Sequence, residues 1–226
     1  MPFISKVGSL AGNRYHTVIN SNANIVLTNG LTDMSTTGMT LRTSISGVDD
    51  GFVYLPYSMD FNFYGTTYNS DGSTNTSNAV YWNTNNVLGF GVGTNTITWA
   101  ANTGKGFLTG NYDRRTNTCY SSYNSSGGIS ILKIVTSFQN VYSDGVPNAG
   151  KYQIRLIRDT NSSKQYYEVR SNSGVSIGGT WSVTNGSTFN PNVYITNISS
   201  GTSYVLVNNN LNGDSWTYVA NSYVNI

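Results

Sequence analysis

Few residues in this chain can move a proton or hold a metal, and their spacing limits what they could do. His16 is the only imidazole, Cys119 the only thiol and Glu168 the only glutamate. A Ser-His-Asp triad would have to use His16, which stands beside Tyr15, away from the aromatic segments of the chain. Ser130-Ile131-Leu132-Lys133 matches the Ser-x-x-Lys pattern of serine acyl-enzymes, which needs both side chains on one helical turn. On a strand, positions three apart point to opposite faces, so Lys133 could not activate Ser130. Gly89-x-Gly91-x-Gly93 resembles a phosphate loop but has no helix pattern after it to bind the phosphate, and reads as a glycine-rich strand end. A zinc site takes about four Cys, His or acidic ligands, and one Cys with one His cannot supply the usual set.

Carboxylate chemistry is the remaining route, since a glycosidase needs only two acids. The ten available are Asp33, Asp49, Asp50, Asp60, Asp71, Asp113, Asp144, Asp159, Glu168 and Asp214. Several adjoin glycine or sit in polar clusters, where Asp serves the backbone of a turn. Asp49-Asp50-Gly51 and Asn69-Ser70-Asp71-Gly72 offer oxygens to Ca²⁺, but with so few acids they read as turns. The expectation is a protein without catalytic residues, bound metal or cofactor. Asp113 and Asp144 are the acids to replace if a glycan-degrading activity is to be tested.

Aromatic residues in polar surroundings are better candidates for function. Tyr112, Tyr120 and Tyr123 lie in a Gly/Ser/Asn-rich stretch with Arg114 and Arg115 between them. Such tyrosines can stack on sugar faces and bond hydroxyls at little ordering cost, or pack against another subunit, and the sequence leaves both open. Lys151, Arg155 and Arg158 form the nearest approach to a basic stripe. Nucleic-acid binding needs a denser one, so these read as a solvated strand face.

The elements that must position these residues are written in the composition. Thirty-one Asn, 29 Ser, 27 Thr and 24 Gly fill 111 of 226 positions, while charged residues make up 10% and the net charge is +2. An ordinary soluble protein carries about 25% charged residues. Interior helices disfavour Asn, Ser, Thr and Gly, whereas 17 Tyr and scattered β-branched residues suit strands. Low net charge and many aromatics indicate a folded chain. No apolar run reaches the roughly 18 residues that span a bilayer, so membrane insertion is not expected. The segment Met-Pro-Phe-Ile-Ser-Lys-Val-Gly-Ser-Leu lacks a basic region followed by an apolar one. An adhesin-like composition without such a leader suggests a protein assembled in the host cytoplasm and released by lysis, as bacteriophage virions are. Cys119 has no partner in its own chain, so stability must come from burial and self-association.

Alternating runs place strands over residues 51–55, 59–64, 79–81, 87–92, 96–100, 129–141, 192–198, 204–207, 216–219 and 223–226. In 151–158, Tyr152, Ile154 and Leu156 oppose Lys151, Gln153 and Arg155. Across a polar loop, Tyr167 and Val169 oppose Tyr166, Glu168 and Arg170, which predicts a hairpin. Residues 129–135 are apolar on both sides apart from Ser130 and Lys133, as in a strand buried on both faces. Turn signals stand at Asp71-Gly72, Gly127-Gly128, Asp144-Gly145, Gly178-Gly179, Asn185-Gly186 and Asn212-Gly213. The fold class expected is all-β, an antiparallel, jelly-roll-like β-sandwich. Residues 1–46 would be an attachment arm and 47–172 the sandwich core. Residues 173–226 would be a C-terminal β region that either completes the same sandwich or forms a small extension.

The central region carries a resemblance. Asp50-Gly51-Phe52-Val53-Tyr54-Leu55-Pro56, Phe61-Asn62-Phe63-Tyr64-Gly65-Thr66-Thr67-Tyr68 and Val80-Tyr81-Trp82-Asn83-Thr84-Asn85-Asn86-Val87-Leu88-Gly89-Phe90-Gly91 together resemble the nidogen-type β module. That module also occurs in bacteriophage tail-fibre and other virion proteins. The likeness spans about 120 residues and consists of packing and turn residues; the loop 69–78 is longer than the family's usual spacing. It implies a virion structural protein: a tail-fibre, tail-associated or capsid-decoration component. Such a protein would work with other virion proteins as a homo-oligomer, a trimer among the forms expected, and would bind host-surface glycan. The rival expectations are a carbohydrate-binding or adhesive module of a cellular surface protein and a glycan-degrading enzyme.

Overall fold

The computed structural model describes residues 18–20, 34–70, 77–93, 105–109, 114–140, 150–171, 177–185, 189–198, 203–219 and 222–224. Their strands, in chain order, are β1 (Val18–Asn20), β2 (Thr40–Leu41), β3 (Phe52–Tyr54), β4 (Tyr57–Phe63), β5 (Thr66–Ser70) and β6 (Val80–Asn83). There follow β7 (Val87–Phe90), β8 (Lys105–Thr109), β9 (Arg114–Ser126), β10 (Ile129–Asn140), β11 (Gly150–Asp159) and β12 (Lys164–Ser171). The last are β13 (Ile177–Asn185), β14 (Phe189–Ile198), β15 (Ser203–Asn208), β16 (Trp216–Val219) and β17 (Ser222–Val224). The only helical element among the described residues is a 3₁₀ turn, Thr43–Ile45.

Antiparallel pairing gathers these strands into two main sheets, one ordered β16-β15-β12-β11-β10-β9-β2 and the other β14-β13-β8-β7-β6-β3. Runs of consecutive strands pair as meanders, and the chain then steps across to the other sheet. Between the sheets, Phe107 of β8 stacks on Tyr167 of β12 with ring centres 4.1 Å apart, and Trp82 of β6 meets Tyr152 of β11 edge-on at 6.3 Å. The fold is therefore an all-β antiparallel sandwich. Residues 173–226 supply β13 beside β8 and β15 beside β12, so they complete both sheets instead of forming an appended unit. Within 1–46, Thr40–Leu41 pairs with β9, Ile45 enters the core and β1 pairs with β17.

The β4–β5 hairpin carries the paired phenylalanines into the sandwich. Phe63 lies 4.3 Å from Phe90, Phe61 stacks 6.0 Å from Trp216, and both are fully buried. Each such side chain contributes about 1.5–3 kcal/mol by leaving water. Phe63 pairs with Thr66, so Tyr64 and Gly65 form a two-residue turn, with φ of +46° and +73°. Two left-handed residues give the turn whose twist suits a hairpin. Its N–H groups are used elsewhere: Tyr64 donates to the Gly213 carbonyl (2.7 Å) and Gly65 to the Asn212 carbonyl (3.2 Å). A Cβ on Gly213 would fall 1.9 Å from the Asn62 carbonyl oxygen, so only glycine allows this approach.

The hairpin expected over 151–170 is β11–β12, with its inner and outer residues as read from the alternation. Asp159 belongs to the strand, paired with Lys164, and its carboxylate accepts from the Asn161 and Ser162 N–H groups. The outer face of the seven-stranded sheet is mostly buried across β11, β12 and β15, but Ile131 and Lys133 of β10 are only half-buried, so residues 129–135 are covered on both sides only in part. Ile129, Ile157, Tyr166, Val205 and Val207 form a second apolar cluster on its outer side. Beside them Glu168, fully buried, is bound by Arg155 and, at 3.1 Å, by Arg170. Gly127-Gly128 makes the expected turn. Gly178-Gly179, expected as a turn, lies inside β13 where the register slips, so these glycines mark a bulge. Strand 96–100 and the turns Asp71-Gly72 and Asp144-Gly145 lie outside the described residues.

Candidate functional site

Strand register lines up a row of polar side chains along one end of the inner face. Ser125, Ser130, Arg158, Gln165 and Asn208 are successive cross-strand partners on β9, β10, β11, β12 and β15. Strand β4 crosses this row. Gln165, fully buried, donates to the Asn62 carbonyl at 2.9 Å and accepts from the Asn62 N–H at 2.8 Å. Its side-chain amide thereby replaces one rung of a β-ladder and fixes where β4 sits.

Toward β9 the row opens to solvent. Ser58 and Ser125 are exposed, and Tyr123, Ser130 and Arg158 are half-buried. The Ser125 and Ser130 hydroxyls bond each other at 2.9 Å, and the Tyr123 ring lies 6.4 Å from that of buried Tyr57. Burial alone would raise the Tyr123 phenol above its ordinary value. Hydrogen bonds from Ser130, Ser125 and Ser58 and the positive charge of Arg158 outweigh that and hold it lower. The Arg158 Nε is buried without a hydrogen-bond partner, and the side chain makes no ion pair among the described residues. This open end of the row thus gathers one guanidinium, one phenol and three hydroxyls.

The predicted binding residues are distributed differently. Tyr112 lies outside the described residues, and Arg114 and Arg115 begin β9 with side chains that are also outside them. Tyr120 pairs with Val135 and so faces the outer side of the sheet, whereas Tyr123 pairs with Leu132 and faces inward. Residues three apart on one strand cannot share a surface; the same rule separates Ser130 from Lys133 and Arg155 from Arg158. No basic stripe runs along β11, because Arg155 turns to Glu168 on one side and Arg158 to the serines on the other. Arg158, Ser58, Ser125 and Ser130 were not singled out as site residues. Arg158 shares the parity of Tyr152, Ile154 and Leu156, a signal the alternation contained.

The other polar motifs are occupied by the fold. Asn83 Oδ1 accepts from the Asn85 N–H at 2.6 Å, Asn86 adopts φ +65°, and Tyr152 donates its hydroxyl to Asn86 Oδ1. Thr84 Oγ1 accepts from the Gly51 N–H (2.9 Å) and donates to the Asp49 carbonyl. Asp50, Asp60 and Asp214 accept from the amides of Asn85, Asn69 and Asn210. No group of three His, Cys, Asp or Glu side chains is gathered among the described residues. Asp33, Asp71, Asp113, Asp144 and His16 lie outside them. Among the described residues no helix is long and apolar enough to cross a membrane.

With that geometry in view, comparison with known proteins adds nothing further. No family model, curated protein or solved structure matches the chain.

Proposed function

We propose that this chain is a structural protein of a bacteriophage virion, a tail-fibre, tail-associated or capsid-decoration component. It works by self-association and assembly, and by binding host-surface glycan through the Tyr123–Arg158 cluster. The resemblance of residues 50–91 to the nidogen-type module supports the first part. The observation that carries the second is the solvent-open set of phenol, hydroxyls and an arginine without an ion pair, at the end of a rigid sandwich. Each of the acids Asp50, Asp60, Asp159, Glu168 and Asp214 is engaged with an amide, a backbone N–H or an arginine, which favours binding over turnover. With 10% charged residues, assembly relies on neutral contacts that salt screens little.

Mass spectrometry of particles purified on a density gradient tests the assignment: the chain should co-sediment at a fixed ratio to the other particle proteins. Recovery only in cell envelopes would favour the second reading, an adhesive module of a cellular surface protein, which the same resemblance supports. Light scattering of the purified chain should show a discrete oligomer whose mass changes little between low and high salt.

A further inference from the structure

Strands β11 and β12 carry three arginines whose partners differ in kind. On the outer face Arg155 and Arg170 share the Glu168 carboxylate. On the inner face Arg158 stands between Ser130 and Gln165 in the register and has no carboxylate among the described residues. The Arg158 Nε is buried and bonds nothing, so an acceptor from outside would meet the terminal N–H groups of this half-buried side chain. Its planar fork matches one carboxylate held by two parallel bonds. Around it, Ser58, Ser125 and Ser130 bring hydroxyls and Tyr123 brings a phenol and a ring face. One cation with one ring and several neutral hydroxyls complements a ligand with one negative charge and several hydroxyls.

We infer that the Tyr123–Arg158 cluster binds an acidic sugar residue, with Arg158 on its carboxylate, the serines on its hydroxyls and Tyr123 against its ring. This rests on the glycan-binding reading above and narrows it to uronic-type sugars of a surface polysaccharide. A phosphorylated or sulfated ligand would call for more cationic or backbone N–H donors than the cluster offers. An acidic peptide would leave the hydroxyls unused.

The test is a titration of the full chain, followed by saturation-transfer NMR, with methyl glucuronide, methyl glucoside and sodium acetate. The glucuronide should bind at least about tenfold more tightly than either of the others, the range of a charge-assisted hydrogen bond. Arg158→Gln should abolish the preference for glucuronide over glucoside, while Lys133→Gln, which removes a charge from the opposite face, should leave it intact. Should Arg158→Gln fail to fold, Arg158→Lys keeps the charge, loses the fork and should narrow the preference severalfold. Equal binding of glucuronide and glucoside overturns the acidic-sugar inference and leaves glycan binding standing. Equal binding of acetate and glucuronide shows a bare carboxylate site and overturns it as well. Binding of none of the three overturns both the inference and the glycan-binding reading.

Discussion

Glu168→Gln probes the fold where its few charges are most interdependent. Glu168 is fully buried, and the Arg155 and Arg170 side chains that bind it are only 11% and 10% exposed. Removing the carboxylate leaves two cations facing each other across neighbouring strands with little water to screen them. Breaking a buried pair by deleting one partner costs about 3–5 kcal/mol. The glutamine carbonyl can still accept one arginine N–H, which places this variant near the lower end. A urea m-value of roughly 3 kcal/mol per molar turns that into a midpoint lower by about 1 M. Equilibrium urea unfolding followed by tyrosine and tryptophan fluorescence measures it directly. The triple variant Arg155→Met, Glu168→Leu, Arg170→Met should recover most of the loss, since an apolar replacement of a buried ion cluster is often neutral or stabilising. A Glu168→Gln midpoint within about 0.2 M of the parent, at unchanged m, would refute the idea that the triad is a closed, desolvated unit.

Four further outcomes are expected. Gly213→Ala places a methyl 1.9 Å from the Asn62 carbonyl at φ +69° and should unseat the β4–β5 hairpin; Gly127→Ala, with open space and φ +59°, should cost only about 1 kcal/mol, both read as shifts in melting temperature. Gln165→Leu removes the two bonds to the Asn62 backbone and should cost about 2–4 kcal/mol by stranding a buried donor and acceptor, with hydrogen exchange at Asn62 accelerated ahead of β10 and β11. In alkaline titration followed at 295 nm, Tyr123 should ionise early, and Tyr123→Phe should erase that early step. Burial pushes Cys119 and Tyr81 up to about 12 from ordinary values of 9.0 and 10.0, and raises Tyr57 and Tyr204 as well. The unfolded chain sheds these protons first, so their contribution is intact below pH 9 and is lost as pH climbs toward 12; stability that rises over this interval would contradict it.

Much of the sandwich was legible in the sequence because apolar alternation survived wherever a strand meets the core. Tyr152, Ile154 and Leu156, then Tyr167 and Val169, declare their faces unaided. Strands β1 and β2 stand where an arm was expected, and β5, β8, β9 and β13 were not foreseen because most of their residues are those of turns. Arg114–Ser126 offers Cys119 and two tyrosines among serines, threonines and asparagines, and it is extended because β10 supplies a partner for all but one of its residues, Asn117, which the register skips. The site was legible only in part. Parity alone puts Arg158 on the inner face and parts Tyr120 from Tyr123. The approach of Ser58 depends on Gln165 holding β4 across the sheet, a contact between residues 103 positions apart that no local pattern encodes.

The abundance of Asn, Ser and Thr follows from where the backbone needs help. Asn83, Thr84 and Asn208 each satisfy main-chain groups at a strand end, and Gln165 does the same in mid-sandwich. Such side chains can be buried because every bond they make is to a fixed neutral partner, at a desolvation cost far below that of an ion. Charge is admitted where a counter-charge meets it, as at Glu168, where neutral donors bind it, as at buried Asp159, or where it meets solvent. Arg158 meets none of these conditions fully, being half-buried, without a carboxylate, and set among hydroxyls that cannot neutralise it. A fold this sparing with ions gains no stability from that guanidinium, so its presence at the open end of the row argues for an anion supplied from outside the chain.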